Sequence, residues 1–273
     1  MLASHSDMAA KLRVLFRETA REAGLAALAY FRAGQATRAD VWSKAGGSPV
    51  TEADIALDRL IAERLRGAMP EAGWLSEETA DDPARLSKSL VFVVDPIDGT
   101  RAFMQGGSDW AISIALLLDG APLAAILHAP ALGVTYEAHR GSGALRNGEP
   151  LPPRAAAASA HAPMRVAGPA MLTKRLLPSF GAIDVVPKIP SLALRLARVA
   201  DGALDVGLAS ANAHDWDIAA SDLILSETGA ALTGLTGERP GFNRPSPVHS
   251  PLVASPRTLH PRVLEALAEG ATA

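Results

Sequence analysis

A chain of 273 residues, 48% of them apolar and none of them cysteine, can bury one large core or two fused ones, and it excludes disorder, disulfides and thiolate metal or nucleophile sites. Its net charge of −3 gives no basic footprint for a nucleic-acid polymer. No apolar run reaches the ~18 residues that cross a bilayer, and the N-terminus lacks a signal-peptide pattern, so the expectation is a cytoplasmic protein with no membrane partner.

Between Met8 and Arg32, Leu12, Leu15, Phe16, Ala20, Ala23 and Ala27 keep a three-to-four spacing that predicts an amphipathic helix. Ala33 to Pro49, punctuated by Gly34, Gly46, Gly47 and Pro49, reads mostly as loop and carries Lys44. A second helix is expected from Thr51, with Leu57, Leu60, Ile61 and Leu65 as its apolar stripe and Pro70 beyond its end. Glu52 and Asp54 fall in its first turn, where acids offset the helix dipole with or without a further role. Glu77-Glu78 has the look of a solvated acidic pair, but the preceding Trp74-Leu75 argues for partial burial. Asp81 to Ser89 is polar loop.

Leu90 to Val94 has the composition of a buried strand, and Pro96, which cannot donate to a ladder, is expected to stop it. Asp95 and Asp98 then lie just past a strand's carboxyl end. Asp-Pro and Asp-Gly are common turn dipeptides in their own right. Two close carboxylates nevertheless repel and are costly to desolvate unless a cation neutralises them, and only Arg101 is near in sequence. A divalent metal answers that need, and oxygen donors favour magnesium, calcium or manganese. Gly99 permits a tight turn and Thr100 suits a helix start, so amides there can face an anion. Metal beside an amide nest suggests phosphate.

Past Gly106-Gly107, Ala111 to Leu118 and Pro122 to His128 flank an Asp119-Gly120 hairpin signal. Val134 to Ala138 and an Asn147-Gly148 turn extend this into an antiparallel sheet expected to support the site from below. Pro150 to Pro163, rich in Pro and Ala, predicts a division into residues 1–150, an α+β half with the main metal site, and 151–273. In the second half, strands over Met164 to Ala167, Ile183 to Val186 and Ala203 to Ala209 alternate with a helix over Ser191 to Ala200, the pattern of a more parallel α/β unit. Leu232 to Leu235 and Val248 to Ala254 predict strands, and Leu259 to Ala268 a closing helix.

Asp95-Pro96-Ile97-Asp98-Gly99-Thr100 resembles the signature of the inositol monophosphatase superfamily of metal-dependent, lithium-sensitive phosphatases. Three further stretches resemble its motifs in family order. Ser48-Pro49-Val50-Thr51-Glu52-Ala53-Asp54 is a loop-to-helix entry carrying an aspartate. Glu77 matches the first glutamate of a short acidic motif. In the segment from His214 to Gly229 a Trp216-Asp217 pair opens a helix that ends at glycine; on its own such an acid is commonly dipole compensation.

The resemblance covers nearly the whole chain and implies an α/β (α+β) fold, the layered αβαβα sandwich, with its halves meeting around the metals. It implies that Glu77, Asp95, Asp98, Asp217 and the carbonyl of Ile97 hold two or three magnesium ions (Mg2+). Asp54 and Thr100, with Glu77, would form the catalytic group that orients or deprotonates the attacking water. Gly99 and Thr100 would meet the phosphate of a small phosphate ester, with Arg101, Lys44 and Arg195 as further substrate contacts.

In its second and central motifs and in Asn243-Arg244-Pro245 the chain looks most like bacterial 3′(2′),5′-bisphosphate nucleotidases, which implies conversion of adenosine 3′,5′-bisphosphate to AMP. Inositol-1-monophosphatase and histidinol-phosphatase are the alternatives, since a basic residue at the place of Arg101 occurs among the latter too. Arg101, Arg195 or Lys188 is expected to meet a second phosphate. A phosphate-binding or regulatory protein with a degenerate site would lack some carboxylates, and here every expected position is filled. Relatives are commonly homodimers, and the chain itself carries no interface signal.

Overall fold

The computed structural model describes residues 2–44, 47–154 and 163–270. The first helix, α1 (Leu2–Tyr30), buries Leu12, Phe16, Ala20, Ala23 and Ala27. It starts before Met8 and stops at Tyr30, whose carbonyl accepts from Thr37 Oγ1 and from the Arg38 amide of the following loop. That loop is not wholly irregular, because β1 (Val41–Ser43) and β2 (Pro49–Thr51) pair as a short antiparallel hairpin. Three-residue strands are too short to leave a period.

Thr51 ends β2 and caps α2 (Glu52–Ala68). Its Oγ1 accepts from the Asp54 amide at 3.3 Å and Asp54 Oδ2 accepts from the Thr51 amide at 2.7 Å, a reciprocal capping box with aspartate in the place of glutamate. Asp54 is thereby pinned at the helix mouth and fully buried.

A seven-stranded sheet follows, in the order β3-β4-β5-β6-β7-β8-β9. Its strands are β3 (Gly73–Ser76), β4 (Leu90–Asp98), β5 (Ala111–Leu118), β6 (Ala121–Ala129), β7 (Val134–His139), β8 (Ala144–Arg146) and β9 (Glu149–Pro150). The six-residue α3 (Thr100–Gln105) leaves the end of β4. Only the β3–β4 pair is parallel.

Pro96 does not stop β4. The ladder to β5 pairs Asp95 with Ser113 and Asp98 with Ala111, so β4 carries one extra residue across Pro96-Ile97. A bulge leaves a residue unpaired, which suits a proline without an N–H. In a regular strand residues three apart face opposite sides; one inserted residue brings Asp95 and Asp98 toward the same side.

The remaining elements are β10 (Met164–Ala167), α4 (Ala170–Phe180), β11 (Ile183–Val185), α5 (Leu192–Ala200), β12 (Val206–Ala209), β13 (Ala213–His214), α6 (Asp215–Glu227), β14 (Ala230–Gly234), β15 (Val248–His249), β16 (Leu252–Pro256) and α7 (His260–Glu269). A five-stranded sheet runs β11-β10-β12-β16-β14, parallel where β10 pairs and antiparallel where β16 pairs. It is therefore mixed, more parallel than the first sheet but not a parallel unit. The strand expected over Val248 to Ala254 is split at Ser250-Pro251 into β15 and β16. The unexpected helix α4 buries Leu172 and Leu176 despite Pro178 near its end.

Stacked in order, α1 and α2 cover one face of the large sheet, α5 and α6 fill the space between the two sheets, and α4 with α7 cover the far face of the small one. This is the αβαβα sandwich. The middle core draws on Leu75, Val91, Val93 and Leu117 from the large sheet and on Leu196, Val199, Ile218 and Leu225 from α5 and α6. The expected linker between halves falls largely on residues 155–162, outside the described residues; before it, the Arg154 amide donates to Thr228 O at the end of α6.

Candidate active site

The carboxyl end of β4, the start of α3, the mouth of α2, the residues after β3 and the start of α6 all converge. Carboxylate oxygens of Asp95, Asp98 and Asp217 lie within 4.8 Å of one another, a grouping able to hold a metal ion. Asp95 Oδ1 accepts from the Ile97 amide at 2.9 Å, folding the bulge over its own side chain. Asp217 Oδ2 accepts from the His214 amide at 2.7 Å at the start of α6.

Asp98 is held from the other half of the chain. Its Oδ2 accepts from Ser191 Oγ at 2.5 Å and from the Ala193 amide at 2.6 Å, and its Oδ1 accepts from the Leu192 amide at 3.2 Å. The amino end of α5 thus points its free N–H groups at a carboxylate of β4, where the helix dipole favours negative charge. Gly99 has to be glycine here: φ is 94°, and a Cβ would come within 3.0 Å of Asp109 O and 3.2 Å of the Ser191 amide nitrogen.

Electrostatics set this cluster apart from a surface acidic patch. Burial pushes the Asp95 carboxyl well above the usual carboxylate range, and the charges of Glu77, Asp98, Asp217 and Asp54 push it further. Asp217 is raised for the same reason, burial first and Asp98 next. Asp98 is pushed up by burial only to about 6, because Ser191, Ala193 and Leu192 favour its anion. Among the described residues no basic side chain forms an ion pair with Asp95 or Asp98, and buried like charges of this kind form a donor set that a hard divalent cation would neutralise.

Thr100 Oγ1 stands 3.3 Å from Asp54 Oδ1 and 3.1 Å from the Ile97 carbonyl oxygen. Burial lifts Asp54 to about 6 against the bonds it accepts from Thr51. Glu77 follows β3 and is engaged by Lys44, whose Nζ lies 2.9 Å from Glu77 and 2.7 Å from Glu78. Burial works against that ammonium, yet the two glutamates outweigh it and hold its pKa above the ordinary lysine value. Lys44 therefore faces carboxylates rather than open space for a phosphate.

In front of these groups opens a cavity of about 630 Å³ lined by Glu77, Gly99, Thr100, Arg101, Gln105 and Lys188, among others. Arg195 is not part of it. Its guanidinium donates to Ile189 O at 2.6 and 3.2 Å and to Leu208 O at 2.9 Å, and the residue is only 8% exposed. A buried guanidinium must satisfy its donors, and backbone carbonyls take them here. The expectation that Arg195 meets substrate is thus corrected: it braces the turn before α5, behind Asp98.

Ser191 and Asp58 carry no site signal in the sequence, and Asn243 carries no sign of what it contacts. Ser191 carries only the local signal of a helix cap after Pro190, and nothing in its neighbourhood announces Asp98. Asp58 of α2 accepts from Ser76 Oγ and from Thr79 Oγ1, both at 2.5 Å, clamping the segment that carries Glu77. Asn243 accepts from Arg85 at 2.7 Å, and its amide donates to Asp215 at 2.8 Å. Arg85 also holds Asp81 through two bonds of 2.6 and 2.8 Å. The Asn243-Arg244-Pro245 stretch is thereby a clasp between the loop after Glu77 and the start of α6.

A model of the inositol monophosphatase family matches residues 8–271. The histidinol-phosphatase of Mycobacterium tuberculosis is 32% identical over 235 residues, 82% of this chain and 86% of the relative. A 3′(2′),5′-bisphosphate nucleotidase CysQ from Aggregatibacter actinomycetemcomitans is 30% identical over 216 residues, 74% and 77% of the two chains. The solved IMPase of Thermotoga maritima superposes with a TM-score of 0.80 at 27% identity, covering 95% of this chain and 98% of that one. Among the described residues no helix is long and apolar enough to cross a membrane.

Proposed function

The chain belongs to the inositol monophosphatase family and is a phosphatase, and from that premise we propose that it hydrolyses a small phosphate ester carrying a second anionic group, foremost a 3′(2′),5′-bisphosphate nucleotide such as adenosine 3′,5′-bisphosphate. The observation behind this choice is the pair Arg101 and Lys188 in the cavity that opens on Thr100. Two exposed cations suit a substrate with a second phosphate. Histidinol phosphate brings an ammonium that they would repel, and the inositol ring of a monophosphate offers them no charge.

Asp95, Asp98, Asp217, Glu77 and the carbonyl of Ile97 would hold two or three magnesium ions. An all-oxygen donor set with four carboxylates, at least three of them converging, fits a hard divalent cation. When bound, magnesium supplies positive charge to the phosphoryl oxygens and lowers the pKa of coordinated water. The protein's own part is orientation and proton transfer. Thr100 Oγ1, fixed between Asp54 and the Ile97 carbonyl, would align the attacking water, and Asp54 would receive its proton through that hydroxyl. The amides of Gly99 and Thr100 would receive phosphate oxygens at the turn into α3.

Two outcomes follow. Ser191→Ala removes the 2.5 Å bond to Asp98 and is expected to weaken magnesium binding by about tenfold, read by calorimetry; unchanged affinity would detach Ser191 from the metal centre. Lys188→Glu is expected to lower kcat/KM for adenosine 3′,5′-bisphosphate by at least about tenfold relative to inositol 1-phosphate. The deciding experiment is phosphate release with magnesium from adenosine 3′,5′-bisphosphate, inositol 1-phosphate, histidinol phosphate and fructose 1,6-bisphosphate side by side. Faster turnover of inositol 1-phosphate or histidinol phosphate than of the bisphosphates would overturn the substrate assignment.

A further inference from the structure

A second cavity, about 360 Å³, lies between α6, the edge strand β14 and the start of α7, and shares no lining residue with the catalytic one. Asp222 of α6, Arg239 and Arg257 supply its charge; Leu232, Pro261 and Leu264 supply its apolar wall. Asp222 sits five residues after Asp217. That spacing turns it about 140° round the helix and about 7.5 Å along it, away from the catalytic carboxylates.

The walls satisfy their own neutral polar groups. Ser226 Oγ donates to Leu223 O at 3.0 Å, and Thr233 Oγ1 donates to Gly234 O at 2.8 Å. His260 is tied at both ring nitrogens, to Thr233 Oγ1 at 2.8 Å and Ser255 Oγ at 2.7 Å. The charged groups are not satisfied in this way. The Asp222 side chain is only 7% exposed, yet its ion-pair partner among the described residues is Arg239 Nη2 at 3.9 Å, beyond hydrogen-bond reach, and no donor among the described residues reaches either oxygen. Arg257 makes no side-chain hydrogen bond or ion pair among the described residues. A buried carboxylate without a donor is costly, and burial accordingly pushes Asp222 up to about 6 even with Arg239 and Arg257 pulling the other way.

These demands select a ligand. A simple anion would meet the arginines but leave Asp222 facing another negative charge. A simple cation would meet Asp222 but face two guanidinium groups. A molecule with an ammonium and a carboxylate on neighbouring carbons, and an apolar side chain, answers all three walls at once. The volume stands at the low end of the ~300–1,000 Å³ typical of small-molecule pockets. We infer that this cavity is a binding site for a small apolar α-amino acid, its ammonium donating to Asp222, its carboxylate accepting from Arg257 and Arg239, and its side chain lying on Leu232, Pro261 and Leu264.

The test is calorimetry on the full chain with L-leucine as probe, beside acetate and isoamylamine, which each carry half of its polar recognition. L-Leucine is expected to bind once per chain, and acetate and isoamylamine at least about tenfold more weakly. Asp222→Asn and Arg257→Gln are each expected to weaken leucine by about tenfold or more, while saturating inorganic phosphate leaves its affinity unchanged. Arg257 is exposed, so that variant keeps the fold in hand if Asp222→Asn is poorly stable. Absence of leucine binding to the wild-type chain, an affinity that Arg257→Gln does not move, or displacement of leucine by phosphate would each overturn the inference.

Discussion

Asp95→Asn is expected to lower magnesium-dependent phosphate release by at least ~10²–10³-fold, the scale at which enzymes lose a single preorganised electrostatic group. The same substitution is expected to raise the melting temperature of the magnesium-free chain. Asp95 is buried among Glu77, Asp98, Asp217 and Asp54, whose charges oppose its own ionisation. Its folded pKa lies above its unfolded one, so between those values the native state binds the extra proton. Stability without magnesium therefore falls as pH rises through that window, and asparagine, permanently neutral, removes the fall. The amide oxygen can still accept from Ile97, so the bulge keeps its bond. Melting curves in chelator at pH 5 and pH 8, with phosphate release in magnesium, check both halves. A variant near wild-type rate would remove Asp95 from the centre; a variant less stable than wild type at pH 8 would mean its charge is not a liability in the metal-free fold.

The chemistry at this centre was legible where it is local. Asp95, Asp98, Gly99 and Thr100 sit within six residues, and two carboxylates beside a glycine turn state a need for a cation before any fold is known. The helix start at Thr51 with Asp54 in its first turn was equally readable, whereas the reciprocal capping bonds between them emerge only in the structure. What the sequence concealed was direction. Pro96 reads as a strand stop because a proline lacks a donor, and only the pairing to β5 reveals that the strand absorbs it in a bulge. Arg195 and Lys188 are both cations near the start of α5. One spends its donors on Ile189 and Leu208 carbonyls while the other faces the cavity, and no local pattern separates them. Ser191 meets Asp98 across 93 residues of chain, a contact created only when α5 packs between the sheets. Helix α4 was hidden by Pro169 and Pro178 at its two ends, which break the stripe that Leu172 and Leu176 would otherwise show.

Thr100→Val separates catalysis from metal binding more cleanly than any carboxylate change. Valine keeps the shape of threonine and removes only the hydroxyl, which lies 3.3 Å from Asp54 Oδ1 and 3.1 Å from the Ile97 carbonyl. Asp54→Asn would be less informative, because Asp54 Oδ2 also accepts from the Thr51 amide and hydroxyl at 2.7 and 2.6 Å, and disturbing that cap costs about 1 kcal/mol of helix stability by itself. Loss of a positioned proton-transfer group typically costs ~10²–10⁴ in rate, so kcat is expected to fall by that range with KM little changed. Magnesium affinity, read by calorimetry, is expected to stay within about twofold of wild type, since the lost hydroxyl is not among the proposed ligands, whereas Ser191→Ala shifts that affinity. Thr100→Ser, which restores the hydroxyl, is expected to recover most of the rate. A kcat within a few-fold of wild type in Thr100→Val would leave Asp54 without its relay, and a parallel loss of magnesium binding would move Thr100 from the proton path to the support of the Ile97 carbonyl.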